Sequence, residues 1–221
     1  MIKLKNISKS FGDKKVLENV NFEVNKGDFI FIIGETGIGK TTLLKLLYLE
    51  EFADSGEVYI FEKLIRKDMK MKEIQDLRKK IGVIFQDYKI LPNRTVYENV
   101  VLPLRYMGLS KSVSEERVEF ALKITKLIDK KNDYPYYLSG GEQQRISIAR
   151  AVARQPEILI ADEPTGNLDI NTSTEILKIL IDLNFQGMTV IIATHDLELL
   201  NYYEKSKVYK IENFKLIKIS Q

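Results

Sequence analysis

Residues 2–10, with Ile2, Leu4 and Ile7, and residues 20–24, with Val20, Phe22 and Val24, mix apolar and polar positions in the manner of strands with one buried face. Asn25-Lys26-Gly27-Asp28 supplies turn chemistry, and Phe29-Ile30-Phe31-Ile32-Ile33 then runs without a polar break, as a strand covered on both faces does. Over residues 41–52 the period changes: Leu43, Leu44, Leu46, Leu47 and Leu49 make a helical stripe, and Ser55-Gly56 turns into a further strand over 57–60. From residue 88 to 155 helical periods dominate, with Val118, Ala121, Leu122, Ile124 and Thr125 placing a helix over 113–127 and a second over 139–154. This segment is expected to be an inserted helical subdomain. Beyond Pro156, short apolar runs at 158–161 and 189–193 flank a helical stretch at 172–183, an order that implies right-handed crossovers and a parallel sheet. The Lys-rich segment after Lys205 is expected to form closing strands with solvated charges.

Composition narrows this picture. A chain of 221 residues is one large domain, or one domain with an insertion, and can bury a substantial core. Thirty-four Lys and Arg against 31 Asp and Glu leave a net charge of +3, evenly spread, so nucleic acid is not an expected partner. The absence of cysteine excludes a disulfide framework, a thiolate zinc site, an Fe–S cluster and a Cys nucleophile, and the single His excludes a multi-histidine metal cage. No apolar run approaches the ~18 residues of a membrane-spanning helix. The start, Met1-Ile2-Lys3-Leu4-Lys5, alternates like a strand and has no basic segment followed by an apolar one, so a cytoplasmic location is expected.

Gly34-Glu35-Thr36-Gly37-Ile38-Gly39-Lys40-Thr41-Thr42 fits the phosphate-binding pattern G-x-x-x-x-G-K-[ST] between a strand and a helix. Glycines let successive N–H groups turn toward a triphosphate, and the helix adds its positive N-terminal end. In this pattern Lys40 holds the β and γ phosphates and the Thr41 hydroxyl ligates Mg²⁺. The apolar run 158–161 ends in Asp162 and Glu163, two adjacent charges that need a cation or water at the strand's end. Asp162 suits the Mg²⁺ shell, directly or through water, and Glu163 suits a general base for the water attacking the γ-phosphate; alternation along the strand would aim them at different tasks. Gln86 follows the strand-like run 81–85, where its amide can touch both a metal and an attacking water. His195 ends the run 189–194, where it can hydrogen-bond the γ-phosphate. In Leu138-Ser139-Gly140-Gly141-Glu142-Gln143-Gln144, a capping box accounts for Ser139 and Glu142, but two consecutive glycines are more useful where backbone meets a ligand, here a second contact to ATP. Arg145, Arg150 and Arg154 further along are expected to be solvated or salt-bridged.

These elements in this order, with the 138–143 run shortly before the acidic strand, resemble the nucleotide-binding subunits of ATP-binding cassette (ABC) systems over essentially the whole chain. The resemblance implies an α/β fold: a P-loop NTPase (RecA-like) core with N-terminal antiparallel strands from residues 1–87 and 156–221, and a helical subdomain from 88–155 carrying the signature run. It implies an ATPase using ATP and Mg²⁺. Gln86 takes the place of the Q-loop glutamine, Asp162 the Walker B aspartate, Glu163 the catalytic glutamate and His195 the switch histidine. Asn167-Leu168-Asp169 takes the place of the D-loop, and Phe11 matches the aromatic residue that stacks on adenine. It further implies a head-to-tail homodimer on ATP binding, with Ser139 and Gly141 of one copy closing over ATP held by residues 34–41 of the other. An integral membrane partner docks against the helical subdomain and places the subunit peripherally on the inner face of the membrane. Phe85-Gln86-Asp87-Tyr88, Arg94-Thr95-Val96-Tyr97-Glu98-Asn99-Val100 and Pro103-Leu104 resemble the cell-division group of the family, and the chain stops soon after its terminal strands, without the extra C-terminal domain of many importers. Pro164-Thr165-Gly166-Asn167-Leu168-Asp169 is shared with lipoprotein-release and macrolide-export ATPases, leaving transport open as an alternative, as is a slow ATP-gated clamp. Ile38 departs from the smaller residue common at its position, and Phe11 stands where Tyr is frequent.

Overall fold

The computed structural model describes residues 1–166 and 168–219. Strand β1 (Ile2–Phe11) pairs antiparallel with β2 (Lys14–Val24) through a two-residue turn at Gly12-Asp13, and on its other edge with β4 (Ser55–Ile60), which carries the short β5 (Lys63–Leu64). The second sheet has the order β10 (Lys215–Lys218), β9 (Lys207–Glu212), β3 (Phe29–Ile33), β8 (Thr189–Thr194), β7 (Ile158–Asp162), β6 (Ile81–Ile84). Its strands are parallel apart from the antiparallel edge β10. The sequence-based expectation of a parallel sheet with closing strands therefore holds, and the carboxyl ends of β3, β6, β7 and β8 meet along one edge.

The continuous apolar runs follow from covering both faces of this sheet. The pleat sends Ile30, Ile32, Ile160 and Ile191 to one side, where they join Leu43, Leu44 and Leu47 of α1 (Lys40–Leu47) and the inner face of the antiparallel sheet. Phe31, Leu159 and Val190 face the other side, against α3 (Val96–Tyr106), α4 (Lys111–Ile124), α5 (Gly140–Val152) and α6 (Ile170–Phe185). At about 1.5–3 kcal/mol per large apolar side chain removed from water, these two layers dominate the stability of the sheet.

Two elements depart from the expectations. The helix expected over 41–52 starts at Lys40 and ends at Leu47: Leu49 is left-handed (φ 65°), and the Lys45 carbonyl accepts the N–H groups of Glu50 and Glu51. Its apolar stripe continues past the helix because Tyr48 and Leu49 are buried as loop residues. An unexpected helix, α2 (Met71–Lys79), buries only Ile74 and Leu77, too few for a readable period. Among the described residues, no helix is long and apolar enough to cross a membrane.

Candidate nucleotide site

The loop between β3 and α1 needs glycine where its backbone touches its surroundings. A Cβ on Gly39, the left-handed N-cap of α1 (φ 117°), would lie 2.8 Å from Val16 Cγ1, and one on Gly34 would lie 2.9 Å from Ile38 Cγ2 and 3.1 Å from the Ile211 carbonyl. Ile38, the unusual residue of the loop, packs into the core under α1. Because Gly39 has no side chain to cap the helix, the first N–H groups of α1 have no side-chain acceptor there. Lys40 is 5% exposed; its Nζ donates to the carbonyls of Gly34 (2.8 Å) and Glu35 (3.1 Å) and lies 3.2 Å from Glu163 Oε1. Thr36, Gly37, Thr41 and Thr42 share a cavity of about 290 Å³ with Phe11, Gln86 and Glu163, so the structure brings the phosphate loop, the aromatic residue of β1 and two candidate catalytic residues together.

At the end of β7, Asp162 and Glu163 do part company, but not by strand alternation. Glu163 lies outside the strand with φ 45°, a costly conformation for a non-glycine residue, and its N–H is held by the Ala193 carbonyl at 2.9 Å. This kink turns its carboxylate under Lys40 on one oxygen and against His195 on the other: Oε2 is 2.9 Å from His195 Nδ1 and accepts the His195 backbone N–H at 3.3 Å. His195, Gln86 and Glu163 line an adjoining cavity of about 520 Å³ with Thr194 and Asp196.

Asp162 interacts with Thr41, yet its Oδ1 is buried without any partner. Burial pushes its carboxyl above the usual range; the hydrogen bond from Thr41 works against this, the charge of Glu163 adds to it, and Lys40 opposes it. An orphaned carboxylate oxygen beside the hydroxyl of Thr41, which lines the phosphate-loop cavity with Gln86 although Asp162 itself does not, suits Mg²⁺, which takes one or two carboxylates together with phosphate and water rather than an all-protein cage. No group of three His, Cys, Asp or Glu able to hold a metal occurs among the described residues.

The start of α5 is different in kind. The Ser139 hydroxyl accepts the Glu142 N–H, Glu142 accepts the Ser139 N–H at 2.9 Å, and Glu142 is further paired with Lys130, which holds its carboxyl below the usual range. Gly141 has a packing reason: a Cβ there would collide with Thr172 Cγ2 of α6. Gly140 lies near the Tyr88 hydroxyl and Leu168 in ordinary contact range. Packing against Thr172 is thus one reason for glycine at 141, and none of Ser139, Gly140, Gly141 or Glu142 lines the phosphate-loop cavity of the same chain. Asp169 caps α6, accepting from the N–H groups of Asn171 (3.0 Å) and Thr172 (3.1 Å); Asn167 of the same expected loop lies outside the described residues.

Arg150 and Arg154 correct an expectation. Both donate to backbone carbonyls, Arg150 to Tyr88 (2.9 Å) and Lys89, Arg154 to Ile81 (3.0 Å) and Arg78, while Arg145 pairs with Glu175 as expected. Tyr88 and Lys89 are consecutive left-handed residues just past Gln86, so Arg150 clamps the Gln86 segment to the helix that begins at Ser139. Lys14, which also lines the phosphate-loop cavity, was not singled out from the sequence; the hairpin register Phe11↔Lys14 is the signal that finds it.

Comparison with known proteins identifies the family. Residues 17–166 match the family model described as ABC transporter. The cell division ATP-binding protein FtsE of Bacillus subtilis is 42% identical over 214 residues, covering 96% of this chain and 93% of that protein. The methionine import ATP-binding protein MetN of Clostridioides difficile is 43% identical over 202 residues, 90% of this chain and 62% of the importer subunit. Among solved structures, the dimeric post-hydrolysis state of the ATP-binding cassette MJ0796 bound to ADP and Pi superposes with a TM-score of 0.86 at 35% identity, covering 100% of both chains. The phosphate loop, the acidic strand end and these likenesses together place the chain in the ABC family of ATPases.

Proposed function

We propose that the chain is the ATP-hydrolysing subunit of a membrane complex of the cell-division type, acting as an ATP-closed homodimer on an FtsX-like integral membrane partner. The observation that carries the enzymatic part is the pinned Glu163. Lys40 donates to its own loop and lies against Glu163; a γ-phosphate would offer Lys40 a stronger anionic partner and leave Glu163 to take a proton from the attacking water. His195 stays on the other carboxylate oxygen and orients the base. Thr41, Asp162 and Gln86 would hold Mg²⁺, which would neutralise charge on the phosphate oxygens. Phe11 stacks on the adenine. Residues 1–221 act as one domain, with 88–155 as the helical unit inserted into the core of 1–87 and 156–221. Ser139, Gly140, Gly141 and Glu142 reach a nucleotide only in the site of a second copy, near that copy's residues 34–42; their absence from the cavity in the same chain supports this arrangement, as does Asp169 at the adjoining helix start.

A groove of about 550 Å³ between the end of α1, β6 and α3 supports the membrane partner. Phe85, Pro103 and the largely exposed Tyr106 give it apolar surface, and Lys89 and Arg150 give it positive charge beside the Gln86 segment. A cytoplasmic segment of the partner seated there would feel any shift of Gln86 through the Arg150 clamp and would hold this subunit peripherally on the inner face of the membrane. Transport remains the competing role, since an importer subunit is as similar in sequence as the division proteins.

The test is purification of Glu163→Gln in ATP from native membranes. The expected result is a stable dimer with phosphate release down by about 10²–10⁴ and a division-type membrane protein bound. Recovery of a transport permease selects the lipoprotein-release or macrolide-export role. Wild-type protein that dimerises in ATP with its partner and releases no phosphate is a clamp instead.

A further inference from the structure

We propose that Lys9 is a positioning residue for the nucleobase: it holds the Phe11 ring as a polarised platform and ties it to the helix that carries the phosphate loop. The inference rests on Phe11 being the adenine platform. Lys9 and Lys40 are the two lysines buried among the described residues, and only Lys40 touches the phosphate loop. A buried ammonium needs partners. Lys9 Nζ donates to the Phe52 carbonyl at 3.0 Å and sits 3.1 Å from Glu51 and 3.7 Å from Asp54. These three residues belong to the segment that leaves the C-terminal end of α1. Asp54 completes the junction by accepting the Ser10 N–H at 2.8 Å.

The same ammonium lies 4.9 Å from the centroid of the Phe11 ring. Lys9 and Phe11 are two residues apart on one strand and so project to the same side. The β1–β2 ladder shifts register between Lys9 and Ser10 and resumes at Ser10↔Lys15 and Phe11↔Lys14, and the side-chain anchor holds the strand at this irregularity. A cation on one face of a ring draws its π electrons that way and leaves the opposite face less negative, which lessens repulsion toward the face of a stacked base. Lys9 thereby joins two reading heads, one for the base and one for the phosphates, into one rigid unit.

The experiment compares Mg·ADP with Mg·pyrophosphate, diphosphates with and without a base, by calorimetric titration of the full chain. Lys9→Met is expected to weaken ADP about 3- to 10-fold while pyrophosphate binding is unchanged. Lys9→Arg restores ADP to within about twofold, and adding Lys9→Met to Phe11→Ala gives no further loss. Lys9→Gln keeps a donor for the Phe52 carbonyl without the charge, and serves with the same expected ADP-selective loss if Lys9→Met does not fold. An equal loss for ADP and pyrophosphate overturns the proposal by making Lys9 a purely structural anchor. An unchanged ADP affinity in Lys9→Met, alongside a loss in Phe11→Ala, overturns it by showing that the ring needs no cation. No loss in Phe11→Ala refutes instead the placement of the base on Phe11, and the proposal falls with it.

Discussion

Two helices of this protein begin after glycine-rich sequence, and they begin in opposite states. At α1 the N-cap is Gly39, no side chain caps the helix, and close by lies a buried carboxylate oxygen of Asp162 with no partner. At α5 the N-cap is Ser139, a complete capping box is in place, and Glu142 is neutralised by Lys130. The first end is poised for a ligand that the chain does not supply. The second is content as it stands, and only another molecule could give it a further task. The difference separates a site visible in one copy from a surface whose role depends on two.

The largest effect that would break this comparison comes from changing both ends at once. Lys40→Ala removes charged hydrogen bonds to phosphate and is expected to weaken ATP about 10- to 100-fold. In mixed dimers, Lys40→Ala in one copy and Ser139→Ala in its mate concentrates both defects in one composite pocket and leaves the other intact, so phosphate release persists. The same two changes in a single copy, beside an unmodified mate, damage both pockets and reduce release to background. Equal release from the two arrangements would mean that α5 of one copy does not complete the site of the other.

Gly141 sharpens the contrast through stability. Gly141→Ala forces its methyl against Thr172 and is expected to cost about 1–3 kcal/mol, lowering the unfolding midpoint by several degrees. Thr172→Ser, which removes the colliding Cγ2 and keeps the hydroxyl bonded to Asp169, should recover most of that loss. Absence of recovery would mean that the contact with Thr172 is not what keeps position 141 free of a side chain.

Much of this was legible beforehand, for reasons that differ between residues. Phe29–Ile33 and the run 158–161 read directly because both faces of the sheet are covered, leaving no polar position in either run. The phosphate loop read directly because backbone contact with phosphate demands glycines and one lysine at fixed spacing. The end of α1 did not, since burial of Tyr48 and Leu49 imitates a helical stripe beyond the last helical turn. Neither did α2, whose charged surface hides its two buried residues. Arg150 and Arg154 were misjudged because their partners are main-chain carbonyls far away in sequence, and a carbonyl leaves no mark in composition. Nor does the pattern show the kink at Glu163, which sets the carboxylate between Lys40 and His195 more decisively than strand alternation could.

Ser139→Ala tests the self-sufficient end by itself. Losing the cap is expected to cost about 1 kcal/mol, or roughly 2–4 °C in midpoint, with or without nucleotide present at low protein concentration. A variant as stable as the parent would mean that the capping box is not what holds the start of α5.

The smallest effect belongs to the unsatisfied end and has the opposite sign. Burial raises the Asp162 carboxyl above its unfolded value, so the folded chain binds the extra proton, and the stability this group contributes is present below the unfolded value and lost as pH rises through the folded one. At neutral pH the charged, half-partnered Asp162 is therefore a cost that Asp162→Asn removes. Without nucleotide or Mg²⁺ the variant should melt about 1–2 °C higher than the parent at pH 7, and the gap should close toward acid as the parent's carboxyl takes up its proton. Mg·ATP should then reverse the ranking, because ligand binding stabilises only the chain that can hold it. A parent that melts above Asp162→Asn at pH 7 in the absence of any ligand would mean that Thr41 and Lys40 already satisfy the carboxylate, and that this end of the sheet is no more prepared for a cation than the start of α5.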